Sequence, residues 1–129
     1  MTSENTVLET LAIALCAVID EIAETFGGGA DQTVNGELDC APARPGHLLC
    51  RQYGVRIESS PGAERRLAAA VIPMLERAGW RPTDRSTGGE VITQFSRAGA
   101  NINVHVARLG DGVTIVGSTP CITAPQRRP

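Results

Sequence analysis

After residue 90 the chain is a series of short stretches in which apolar and polar residues alternate, parted by turns too tight to hold any other element. Gly88-Gly89 leads into 91–97, Ala98-Gly99 into 101–109, and Gly110-Asp111-Gly112 into 113–118. In the middle stretch Ile102, Val104 and Val106 fall on one side while Asn103 and His105 fall on the other. A period of two is the signature of a strand with one face buried, and connections this short join only antiparallel neighbours. The segment therefore predicts a meander with one greasy face, and something else in the chain has to cover that face.

Two helical segments are available for the task. Residues 6–26 place Leu8, Leu11, Leu15, Ile19, Ile22 and Phe26 at spacings of three and four, which aligns them along one side of a helix. Val7, Cys16 and Val18 widen the stripe, Asp20, Glu21 and Glu24 mark the wet side, and Thr6 with Glu9 fits a capping box. Gly27-Gly28-Gly29 ends the helix. The second helix opens with Ser60 as N-cap, Pro61 at the first position and Glu64 in the first turn. Leu67, Ala70, Val71, Met74, Leu75 and Ala78 form its apolar side, Pro73 interrupts it, and Gly79 stops it before Trp80 folds back on the last turn.

Between the helices, 30–46 reads as an irregular loop, with Asn35-Gly36 as a tight hairpin turn. A strand follows within 47–59, where Tyr53, Val55 and Ile57 alternate with polar residues or glycine. Residues 80–85 form a further strand, restricted by Pro82 to a sheet edge. The expected fold is α+β: a two-layer sandwich with an antiparallel four- to five-stranded sheet and two helices on one face. Residues 1–124 are expected to form one domain, and 125–129 a flexible tail.

Composition removes several functions. The 129 residues carry 12 basic and 14 acidic side chains, a formal charge of −2, so no strong field gathers nucleic acid. All the basic residues are arginine, which excludes Schiff-base chemistry and a P-loop lysine. Phe26, Tyr53, Trp80 and Phe95 are too few for a base-stacking platform. No cofactor is expected. Gly27-Gly28-Gly29 follows a helix and is no phosphate loop, and Asp111 between two glycines is turn chemistry and no calcium loop. The apolar run at 7–19 is preceded by Glu4 and by no arginine, and Leu15 is too bulky for a signal-cleavage position. It is also well short of the ~20 residues that span a bilayer. These features read as no secretory signal and no membrane span and suggest a cytoplasmic chain, whereas the cysteine pattern suggests an exported one, so the sequence leaves the compartment open.

Residues 53–121 resemble small actinobacterial exported proteins and lipoproteins. The likeness is carried by Leu75-Glu76-Arg77-Ala78-Gly79-Trp80 and by Gly117-Ser118-Thr119-Pro120-Cys121. It implies the same α+β fold, an exported location, and a disulfide from Cys121 to Cys50 or Cys40. The amino terminus departs from the pattern, lacking the signal and the lipid-attachment motif.

The cysteines keep more than one reading. Cys16 on a helix face is a small core residue. A bond from Cys121 to either Cys40 or Cys50 closes a loop of roughly 70 residues or more, which the chain-entropy model values at about 4 kcal/mol. Alternatively Cys40, His47, Cys50 and Cys121 supply four ligands for tetrahedral zinc. His47 or His105 beside Cys50 would make a thiolate, although no nucleophile signature surrounds it.

If both helices cover one side of the sheet, Arg56, Gln94, Ser96, Asn103, His105 and Thr114 share the other. The expectation is a non-catalytic binding or assembly domain, acting through that polar face or through the apolar N-terminal helix on a protein partner or in a homo-oligomer. The alternatives are a small enzyme or ligand-binding protein with a cleft around His47, Tyr53 and His105, and a component of a larger particle such as a phage or a secretion machine.

Overall fold

The first helix and the sheet meet where the sheet has no side chain. The computed structural model describes residues 3–123, so the expected tail at 125–129 lies outside the described residues. Helix α1 (Ser3–Thr25) lies over Gly117, where a Cβ would stand 2.9 Å from the Asn101 carbonyl oxygen and 2.9 Å from Ile19 Cδ1. Leu8, Leu15, Ile19, Ile22 and Phe26 turn inward, as their spacing requires. Val7 does not join the stripe, being 48% exposed, and Ile13 is 64% exposed. The helix starts before Thr6, so Thr6 and Glu9 sit within it and make no capping box; the Thr10 hydroxyl donates to the Thr6 carbonyl instead.

Strands β1 (Asp31–Asp39) and β2 (Leu48–Ile57) pair antiparallel around the loop at 40–47. Asn35-Gly36 lies inside β1 opposite Tyr53 and Gln52, and forms no turn. A hairpin there would have had arms of two residues each. The observed ladder runs from Asp31 opposite Arg56 to Asp39 opposite Leu49, satisfying far more backbone groups.

The second helical segment is α2 (Ala63–Arg66), a π-helical turn (Leu67–Val71) and α3 (Ile72–Arg77) in unbroken succession. Pro73 has no N–H to give the carbonyl four residues back, and the wider turn just before it takes up the mismatch. Ser60 is not the N-cap: Gly62, at φ 70°, holds that position. The buried Ser60 hydroxyl donates to the Phe26 carbonyl at 2.5 Å, joining the end of α1 to the start of the second helix. Trp80 folds back as expected, its amide donating to the Leu75 carbonyl at 2.9 Å. The Arg97 guanidinium stacks 4.6 Å above its ring.

Strands β3 (Arg81–Asp84), β4 (Glu90–Arg97), β5 (Ala100–Ala107), β6 (Val113–Ser118) and β7 (Ile122–Thr123) complete one antiparallel sheet. Its order is β1-β2-β6-β5-β4-β3, with β7 alongside the start of β2. The sheet thus has seven strands where four or five were expected: β1 forms from a segment rich in loop residues, and the two-residue β7 is too short to leave a pattern. Pro82 lies on the edge strand β3. Phe95, Ile102, Val104, Val106, Val113 and Ile115 meet the two helices in one core.

Candidate functional site

The ladders decide which side chains share the open face. Arg56 pairs with Thr114 and Thr114 with His105, which makes one row across β2, β6 and β5. Gln94 pairs with Asn103 in the next row. All five residues therefore lie on the side away from the helices, since their neighbours Val55, Phe95, Ile102, Val104 and Ile115 are in the core. Gln94 accepts a hydrogen bond from Arg85 Nε at 3.2 Å, and Arg56 is exposed.

No carboxylate spacing near His105 stands out in the sequence, yet the fold supplies one. Glu90 Oε1 lies 3.6 Å from His105 Nδ1, both side chains partly exposed. The two-residue Ala98-Gly99 turn, with both residues at positive φ, fixes Arg97 opposite Ala100. Counting back along that ladder puts Ile92 opposite His105 and Glu90 one place further on the same face. The turn was legible, so the pair could have been found from it.

His47, Tyr53 and His105 do not form one cleft. Tyr53 faces the helices, opposite Gly117, and its hydroxyl donates to Asp20 Oδ1 at 2.7 Å. Burial, with that hydrogen bond and the Asp20 charge, pushes the Tyr53 phenol up to about 12. On the same side Arg51 reaches Glu9 Oε2 at 3.1 Å, so two polar contacts clip α1 to β2. His105 lies on the opposite side of the sheet, and His47 sits in the loop before β2.

Of the two pairings open to Cys121, the structure has Cys40–Cys121, with Cα atoms 6.4 Å apart and a sequence separation of 81. Cys50 is a buried free thiol whose Sγ lies with the other two inside a triangle no wider than 4.8 Å. His47 is outside this cluster, and two of its three sulfurs are bonded to each other, so the tetrahedral zinc set is not assembled. Burial raises the Cys50 thiol above its usual range. Cys16 is half-buried on α1 and is not a member of this cluster.

A cleft absent from the sequence reading opens where the second helix stands away from the β3–β4 edge. Its volume is about 910 Å³. Leu67, Ile72, Pro82 and Val91 give it apolar walls. Glu64, Asp84 and Asp111 stand around it with Arg65, and Arg108 reaches Glu64 Oε1 at 3.8 Å from just outside the lining. Side-chain and backbone hydrogen bonds from Ser86 hold the Asp84 carboxyl below its ordinary range, keeping it ionised. Its residues come from α2, the π turn, α3, β3, β4 and three connecting segments, a gathering no local pattern announces.

The chain matches no protein-family model and no curated protein. Among solved structures it is similar to the crystal structure of the putative lipoprotein LppA from Mycobacterium tuberculosis, with a TM-score of 0.59 over 97% of this chain and 85% of that one. The two are 14% identical, so the likeness is one of fold, in line with the α+β architecture that the actinobacterial resemblance implied.

Proposed function

We propose that the chain is a non-catalytic binding domain whose ligand is a small amphipathic molecule bearing a positive charge, held in the cleft between the second helix and β3–β4. The observation that carries this reading is the combination of a volume near 910 Å³, apolar walls and an excess of carboxylates. That volume lies within the ~300–1,000 Å³ of small-molecule sites, whose walls are mostly apolar with a few polar groups that orient the ligand. Leu67, Ile72 and Val91 would take the hydrophobic body, and Asp84 and Asp111 the cationic end, Glu64 being paired with Arg108. The Ser86 hydroxyl accepts the Ile92 amide at 3.0 Å and is hydrogen-bonded to the Asp84 carboxylate, an arrangement that fixes the β3–β4 turn beside the cleft.

Thermal-shift and calorimetric titration with matched alkyl- and aryl-ammonium and carboxylate compounds tests this. Ammonium compounds are expected to stabilise the chain, and Ala68→Trp, which fills the cleft from an exposed helical position, is expected to weaken them about tenfold or more, roughly 1.4 kcal/mol. Equal binding of the carboxylates, or indifference to Ala68→Trp, would sink the reading.

A second reading rests on the uncovered row of Arg56, Thr114 and His105: a protein partner on the open sheet face. Exposed Val7 and Ile13 support a related contact through α1, with a partner or a second copy. The Cys40–Cys121 bond supports an exported working place, because disulfides persist in oxidising compartments. Among the described residues no helix is long and apolar enough to cross a membrane.

A further inference from the structure

The cleft makes no use of the cysteines, which gather at the other end of the sheet. Cys50 lies on β2 between the two segments that carry the disulfide. Leu38 of β1 faces Cys50 on one side, and on the other Leu49 pairs with Ile122 of β7, the residue after Cys121. The Cys40–Cys121 bond thus joins the chain on both flanks of β2 and comes within 4.8 Å of the Cys50 sulfur. The three thiols differ in access: Cys121 is exposed, Cys40 half-buried, and Cys50 only 5% exposed.

We propose that Cys40, Cys50 and Cys121 form a thiol–disulfide exchange site that accepts an external low-molecular-weight thiol. The external thiolate attacks Cys121 Sγ, the accessible sulfur; its new S–S bond forms as the Cys40–Cys121 bond breaks, and Cys40 leaves as a thiolate that takes up a proton. Cys50, after giving its proton to solvent, then attacks Cys121 Sγ. This forms Cys50–Cys121 and expels the external thiolate. Two bonds form and two break, no net oxidant or reductant is consumed, and the external thiol is returned. Each cysteine is held by, or directly adjoins, backbone pairing that the exchange leaves intact. The Cys40 amide donates to the Leu48 carbonyl at 2.8 Å, Cys50 lies within β2, and β7 pairs with β2 just beyond Cys121. The loop closed by the new bond is shorter by only the ten residues from Cys40 to Cys50, so chain entropy barely separates the two isomers. The product presents the Cys40 thiol at the 40–47 loop, whose shape is kept by Asp39 accepting from the amides of Ala41 and Gly46.

Glutathione is the probe. The oxidised full chain is incubated anaerobically with glutathione well below the protein concentration, quenched with acid, alkylated, and its free thiols located by tandem mass spectrometry. The label expected at Cys16 and Cys50 at the start moves in part from Cys50 to Cys40, with Cys16 unchanged. In Cys40→Ser, mild oxidation is expected to join Cys50 to Cys121. In Cys50→Ala, the released Cys40 thiol can only reverse the first step, so the substoichiometric glutathione is expected to leave Cys40–Cys121 intact and no label at Cys40 beyond the glutathione added. A parent chain whose label stays on Cys50 at equilibrium overturns the proposal on its own, whether or not the variants fold. Label at Cys40 in a folded Cys50→Ala chain equal to that in the parent does the same, because Cys50 would then not be the thiol that displaces Cys40.

Discussion

Tyr53 shows how one side chain reports on the seam between helix and sheet. It is the only tyrosine in the chain, so its ionisation can be followed by ultraviolet absorbance without interference. Its hydroxyl is partly desolvated and donates a hydrogen bond to Asp20, and both effects disfavour the phenolate. The expected midpoint is about 12, and Asp20→Ala should bring it part of the way down, leaving the desolvation share in place. Because the folded state raises the pKa, the associated stability is whole below the unfolded value of about 10 and fades as pH climbs toward the folded one. Tyr53→Phe should therefore flatten the alkaline limb of the stability profile. Gly117 is the backbone counterpart of this seam. The nearest obstacle to a Cβ there is a strand carbonyl, which cannot swing aside as a side chain can. Gly117→Ala is expected to cost about 1–3 kcal/mol by urea denaturation, as overpacked core sites do. The five open-face residues were legible because strand parity alone assigns them a side. The Glu90–His105 pair needed the register as well.

At the scale of elements, local signals failed where a longer-range pairing outweighed them. Asn35-Gly36 is a strong hairpin signal only when its arms are long enough to hold a ladder, and here the chain gained more from laying 31–39 along β2. Ser60-Pro61 has the form of a helix start, but the Ser60 hydroxyl serves the carbonyl of Phe26, thirty-four residues earlier. That bond links the end of α1 to the entry of α2 and is out of solvent. Ser60→Ala would leave a buried carbonyl short of a partner, and a loss of about 1–3 kcal/mol is expected, with an unchanged urea m-value. Pro73 was legible as a disturbance; its form, a π turn one step upstream, was not, because several local geometries can absorb one missing donor. The meander after residue 90 was read correctly since its turns are too short to permit any other connection.

The whole molecule is a seven-stranded sheet with helices on one side, a free polar face on the other, and a cleft at one edge. The free edge strand β1 shows how such a sheet avoids pairing with its own kind: it carries Asp31, Glu37 and Asp39 and a register shift near Thr33. The core binds α1, the second helix and the central strands, but β7 pairs with β2 through only two residues. Its tether is the disulfide. A bond closing 81 positions removes about 4.5 kcal/mol of chain entropy from the unfolded state in the loop-closure model, of the order of half the stability of a typical domain. Reduction, or the double change Cys40→Ser with Cys121→Ser, should therefore lower the urea midpoint strongly. It should also raise the m-value, because an unfolded chain without the cross-link exposes more surface. Strand unzipping would look different: a lost β7 with the rest of the sheet intact lowers the midpoint little. The two outcomes separate on the size of the shift and the direction of m, and a small shift at constant m would place the bond's role in the local site around Cys50 and not in the stability of the fold.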